Sequence, residues 1–390
     1  MQRIEGTIRN YAWGSRTAIA RLRGESSPAD HPEAEMWFGA HPGAPSPVVG
    51  ADKNLAELIA AHPQEQLGSS AELPFLLKIL AADKALSIQA HPTKAQAEEG
   101  YARENGQGIA LDAFHRNYKD DNHKPELLVA VTEFSALAGF RPVSEVAELL
   151  DVLDVAELRG HRAMLGSGDD AADLRSVLTT WITLPNEVLS RTLQSLVRRC
   201  EELCETGADH PAWIRTAAAT VVELAAQHPG DSGVLCAMLL NIVELQPGQA
   251  LYLDAGQLHA YLRGLGVEIM ANSDNVLRGG LTTKHMDVPE LMHVVQCAPL
   301  DDPSFEPDEF GVYHTPAPEF ELRRLHSGDT VAGPAIVLCV SGSVSCTQQA
   351  GDAAEELAPT QAVWVAASEE PVAVDLAAET VAFAATADTS

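Results

Sequence analysis

The segment "LSIQAHP", residues 86–92, sets Ser87, Gln89 and His91 at alternating positions and ends on Pro92. In an extended strand, side chains two apart share a face, so a hydroxyl, an amide and an imidazole point the same way. Such a face is awkward for core packing and useful for holding a cation. "DDNHKPELLVAV", residues 120–131, adds His123, Lys124 and Glu126 at the entry to a second strand-like run. "DAGQLHAYL", residues 254–262, adds His259 just after a glycine turn. Gln89, His91, Glu126 and His259 together offer two imidazoles, one carboxylate and one amide oxygen. That donor set suits a borderline divalent ion such as Zn2+, with a position open for water or substrate. No cysteine takes part, which separates it from the usual structural zinc site.

The rest of the chain narrows the function classes. It has 390 residues, 46% of them apolar and 21% charged, and a net charge of −29. So acidic a protein is a poor partner for nucleic acid or an anionic membrane. No uncharged apolar run is long enough to span a bilayer, and "MQRIEGTIRNYAWGS" has no apolar signal region. The six cysteines show no disulfide spacing, so a reduced, cytoplasmic protein is expected. Cys200 and Cys204, four apart with no second pair nearby, read as small helix residues rather than metal ligands. Lysine is unevenly placed: Lys53, Lys78, Lys84, Lys94, Lys119 and Lys124 lie in the first third, and only Lys284 follows. Cations gathered beside the candidate ligands of an acidic protein suggest a local site for an anionic small molecule.

A chain of this length is expected to form two or three domains. Up to about residue 143, short apolar runs broken by Pro and Gly read as strands, with helices such as 94–105 between them. From Ser144 to His228 the period changes: "VSEVAELLDVLDVAELRG", "LPNEVLSRTLQSLVRRCEELCE" and "PAWIRTAAATVVELAAQH" place apolar residues at helical spacing. Strands return after about Leu235. "LQPGQALYLDAGQLHAYL", residues 245–262, aligns without gaps on "LAPTQAVWVAASEEPVAV", residues 357–374. Each copy reads as turn, strand, small-residue turn and strand, a pattern of jelly-roll or cupin barrels. His259 in the first copy is Pro371 in the second, so only the first barrel is expected to hold metal. The fold class expected is therefore mainly β with an α-helical insert: two cupin-like (jelly-roll) β-barrel domains plus a helical domain. The boundaries are 1–143 with 229–310 for the first barrel, 144–228 for the insert, and 311–390 for a second barrel without metal ligands.

Eight motifs, in order along nearly the whole chain, resemble type I mannose-6-phosphate isomerases: "YAWGS" (11–15), "EMWFGAHP" (35–42), "PFLLKIL" (74–80), "LSIQAHP", "DDNHKPE", "GFRP" (139–142), "AGQLHAYL" and "SDNVLRGGLTTKH" (273–285). The resemblance implies one zinc ion per chain, held by Gln89, His91, Glu126 and His259. It also implies interconversion of mannose 6-phosphate and fructose 6-phosphate through a cis-enediol. That reaction needs a Lewis acid at two adjacent oxygens, a proton shuttle between C1 and C2, and a fixed cation for the developing oxyanion. Arg278, after a polar turn and before two glycines, is the family's catalytic arginine by motif and is assigned to the oxyanion. Lys124, Glu268 and Tyr261 are alternative proton-transfer groups. His123 is a candidate for ring opening, although as the neighbour of Lys124 in an extended segment it should face the other way. Ser87, Lys78 and Lys284 are expected to hold the phosphate. Trp13, Glu35 and Trp37 stand in family motifs with no derivable role beyond bracing the barrel.

Two competing readings are weaker. An iron-dependent cupin oxygenase usually needs two histidines close together in one strand, a pair this chain lacks. A non-catalytic sugar-phosphate-binding cupin protein would keep the ligands and lose the acid/base groups or Arg278, all of which are present. The partners expected are a small-molecule sugar phosphate, with no nucleic acid and no membrane, and the protein is expected to be a monomer.

Overall fold

The apolar run "FLLKILAA" forms the central strand Phe75–Ala82, buried along its whole length. The pleat divides it. Leu77, Ile79 and Ala81 face one hydrophobic core, and Leu80 and Ala82 face another. This is a computed structural model, and it describes residues 1–206, 209–348 and 354–387. Phe75–Ala82 pairs with Glu35–Phe38 on one side and His259–Ala271 on the other, and His259–Ala271 pairs in turn with Glu126–Ala130. The same alternation runs through the neighbours: Leu127, Val129, Val267 and Ile269 join the outer core. Lys78, Glu126 and Glu268, each one residue out of phase with those, therefore share the inner face.

The strand that organises the site is His259–Ala271, 13 residues long. Its C-terminal half lies in the sheet just described. Its first residues pair with Phe134–Phe140 and Ile88–Ala90, with His259 opposite both Ala138 and Gln89. A register shift between Tyr261 and Arg263 marks the bend. Gly264 follows at φ +128°, where a Cβ would stand 2.6 Å from Phe134. Only glycine fits that corner. One strand thus carries His259 on one wall and Glu268 on the other. Leu277–Gly280 extends the His259 wall by pairing with Ile88–Ala90.

Helices fill residues 143–236. Val143–Leu153, Asp170–Ile182, Asn186–Thr206 and Ala212–Gln227 each bury an apolar stripe, as with Leu189, Leu193, Leu196, Cys200 and Leu203. No helix among the described residues is long and apolar enough to cross a membrane. A six-stranded sheet, five of its strands beyond residue 311, and a four-stranded sheet face one another across Val337, Cys339, Val344, Leu357 and Val374. The six-stranded sheet turns Ile336, Leu338, Trp364 and Phe383 against the core that Leu77 and Ile79 enter. Both repeat copies have the same backbone order, a strand at Ala250–Leu253 or Ala362–Val365 and another from His259 or Val372.

One segment departs from the expected division. Gln2–Ile4 does not join the sheet around the ligands; it pairs with Ala362–Val365 at the edge of the six-stranded sheet. Three residues of mixed polarity carry no signal for a partner so far away in sequence.

A candidate metal centre in a charged cavity

His91 and His259 are fully buried, and Glu126 is 2% exposed. Each histidine is held by a backbone carbonyl at Nδ1: His91 by Asn275 O at 2.7 Å and His259 by Gln257 O at 3.0 Å. A carbonyl only accepts, so both rings carry their proton on Nδ1 and present a lone pair on Nε2. Those two Nε2 atoms stand 3.4 and 3.3 Å from the two oxygens of Glu126. Burial pushes the His91 imidazole down to about 4, against the pull of Glu126, so it is neutral. Burial alone would raise the Glu126 carboxyl, but the Lys124 ammonium, 3.0 Å from Oε1, holds it well below the usual range. Lone pairs facing a carboxylate with no proton between them repel. His91 Nε2, His259 Nε2 and Glu126 Oε2 are buried with no hydrogen-bond partner among the described residues. The three donors lie within 4.8 Å of one another. A cation resolves that frustration, and the donors fit a zinc-type ion. Gln89 lines a cavity that Glu126 also enters, and it stands opposite His259 and Arg278 in strand register.

The cavity has a volume of about 710 Å³. On its inner sheet face, Lys78 Nζ lies 2.8 Å from Glu268 Oε2 and 3.6 Å from Glu35 Oε1. Tyr261 donates its hydroxyl to Glu268 Oε1 at 2.8 Å, and Trp37 donates to Glu35 Oε2 at 2.6 Å. Burial works against the Lys78 ammonium, but Glu268 and Glu35 outweigh it and raise its pKa. Burial also lifts Tyr261 well above the ordinary phenol range, which keeps it a neutral donor. Lys78, expected at the phosphate, stands in the cavity wall with its charge paired to two carboxylates. Lys78→Met leaves Glu35 and Glu268 buried without a cation and is expected to cost about 3–5 kcal/mol, as broken buried pairs do. Equilibrium denaturation measures it.

His123 is engaged elsewhere. It is absent from the cavity wall, and its Nε2 meets Glu319 Oε1 at 2.5 Å. Adjacent residues of an extended segment point oppositely, and it is Lys124 that faces inward. Ser87, Lys124, Glu268, Tyr261, Arg278 and Lys284 all line the cavity. So does Lys119, which sequence reasoning left without a role although it stood in the lysine cluster. Its loop has no periodic pattern, and Asn275 holds it by accepting from the Lys119 amide at 2.7 Å. The Arg278 guanidinium is depressed by burial, with no carboxylate near enough to offset it. Lys284 is lowered by burial and then by the like charges of Arg278 and Lys119. Arg278, Lys119 and Lys284 crowd one edge of the cavity, and an anion there would relieve their repulsion.

The chain matches the model of the phosphomannose isomerase type I catalytic domain over residues 1–143. Mannose-6-phosphate isomerase from Escherichia coli (strain K12) is 38% identical over 392 residues, 96% of this chain and 97% of that one. The chain belongs to the type I phosphomannose isomerase family. Its similarity to the mannose-6-phosphate isomerase of Bos taurus is 33% identity over 93% of this chain and 92% of that protein. Among solved phosphomannose isomerases, a mutant from Salmonella typhimurium superposes with a TM-score of 0.88 at 34% identity, covering 99% of this chain and 98% of the other. A mannose 6-phosphate isomerase bound with zinc and yttrium gives a TM-score of 0.88 at 35% identity, again over 99% and 98% of the two chains. In this chain the buried His91, Glu126 and His259 could hold a metal ion.

Proposed function

We propose that this protein interconverts D-mannose 6-phosphate and D-fructose 6-phosphate, with one zinc ion held by Gln89, His91, Glu126 and His259. The observations that carry the reading are three buried donor atoms without partners among the described residues, one of them on Glu126 in the cavity wall, and the cations Lys119, Arg278 and Lys284 in that same wall. Bound zinc would supply a Lewis acid for two adjacent sugar oxygens. Arg278 places a fixed positive charge where the enediolate oxygen develops, in a site whose burial strengthens it. Lys119, Lys284 and Ser87, with the Thr282 and Thr283 hydroxyls, seat the phosphate and hold C1 and C2 toward the donors. Lys124, Glu268 and Tyr261 face the sugar as the group that carries the proton between C1 and C2. Lys78 holds Glu268 in place. The relatives are isomerases, which favours catalysis over sugar-phosphate binding alone.

The same reading takes the architecture as two cupin-like barrels, the first over 1–143 and 229–310 and the second over 311–390, with 144–228 inserted as a helical domain and Gln2–Ile4 lending an edge strand to the second barrel. The shared strand order of the two repeat copies and the helices of 143–236 support it; residues 207–208, 349–353 and 388–390 lie outside the described residues. Six free cysteines agree with a cytoplasmic location, and we take the protein as a monomer.

The test is to supply zinc-loaded protein with mannose 6-phosphate, and separately with fructose 6-phosphate, and follow both sugars by NMR. The expected result is one equilibrium mixture from either side, with unphosphorylated mannose turned over far more slowly. No interconversion by folded, zinc-loaded protein contradicts the proposal.

A further inference from the structure

The cationic edge is held by a residue that does not touch the cavity. After Arg278, the chain passes Gly279 and Gly280 into Leu281, which sits at φ +54°. A buried, branched leucine in the left-handed region is strained, and such a conformation persists only where its surroundings hold it. Among those surroundings, one carboxylate bonds the loop directly. Asp231 Oδ1 accepts from the Leu281 amide at 2.8 Å and from the Gly233 amide at 2.7 Å. Its Oδ2 accepts from the Thr282 amide at 3.0 Å. The two backbones meet so closely that a Cβ on Gly280 would stand 2.3 Å from Gly233 Cα. One bond further on, Thr282 Oγ1 accepts from the Lys284 amide at 3.1 Å.

Asp231 comes from the turn that ends the helix Ala212–Gln227. That helix end grips the opposite side as well, since Gln227 Oε1 accepts from the Ala85 amide at 2.9 Å, two residues before Ser87. Gln227 and His228 line the cavity, whereas Asp231 is no part of its wall. We infer that Asp231 is a positioning residue: the helical segment uses it to clamp the strained loop that presents Thr282, Thr283 and Lys284 to the phosphate. The inference rests on the assignment of that edge to phosphate. It gives the helices a part in substrate binding that the metal ligands, all outside them, do not.

The experiment compares Asp231→Asn, Asp231→Ala and Lys284→Ala with the parent, all as full-length, zinc-loaded protein. Asparagine keeps the shape and one acceptor oxygen and turns an amide toward a backbone donor. Losing one charge-assisted bond from the loop is expected to raise KM for mannose 6-phosphate about tenfold in Asp231→Asn, and further in Asp231→Ala. Competitive inhibition by inorganic phosphate should weaken in parallel, while kcat and zinc content stay near the parent's. If Asp231→Ala does not fold, Asp231→Asn decides. A rise in KM for Lys284→Ala with parental KM and phosphate inhibition in Asp231→Asn overturns the inference. So does a fall in kcat or zinc content at unchanged KM, the mark of a general structural role. Parental KM in Lys284→Ala as well would refute the phosphate assignment itself, and the clamp with it.

Discussion

His259→Ala is expected to lose zinc and turnover together. His259 is fully buried, its Nδ1 proton is committed to Gln257 O, and its Nε2 has nothing else to bind. Alanine leaves the backbone pairing with Gln89 and Ala138 available, so the strand should survive while a donor disappears. Disturbing only the groups that orient a metal ligand typically costs 10–100-fold in affinity or activity, so loss of the ligand itself should exceed about 10²-fold. Metal analysis after gel filtration and a turnover assay check the two losses. A variant that holds a full complement of zinc would remove His259 from the donor set.

Arg278→Ala should separate the two properties. Arg278 sits on Leu277–Gly280, opposite Gln89, and supplies no donor to the metal, so zinc should remain. Its charge is half-buried, without an ion pair among the described residues, and aimed into the cavity. Removing a preorganised oxyanion-stabilising group costs about 10²–10³ in kcat. Arg278→Lys should recover little of that, because the planar fork and its fixed donors are not reproduced by an ammonium. Near-parental kcat in a zinc-loaded Arg278→Ala protein would refute the assigned role.

The ligand segments stand out in the sequence because each places chemistry-bearing residues where packing would not want them. Gln89 and His91 share one strand face, and His259 follows a glycine turn. The change from short apolar runs to helical spacing near residue 143 is equally visible, and helices begin there at Val143. What periodicity cannot show is which strands lie side by side. Lys78 reads as a lone cation in an apolar strand until Glu268 is found opposite it in register, with Glu35 and Trp37 on the next strand. Lys119 sits in an irregular loop whose conformation depends on Asn275, far away in sequence. His123 and Lys124 could be told apart only by the direction of one short extended segment. The pairing of Gln2–Ile4 with Ala362–Val365 joins the two ends of the chain, beyond the reach of any local pattern.

The most direct measurement titrates zinc into chelator-stripped protein while following conversion of mannose 6-phosphate to fructose 6-phosphate. The account predicts negligible turnover at zero zinc and a linear rise that breaks at one ion per chain. Undiminished turnover by verifiably metal-free protein would contradict it.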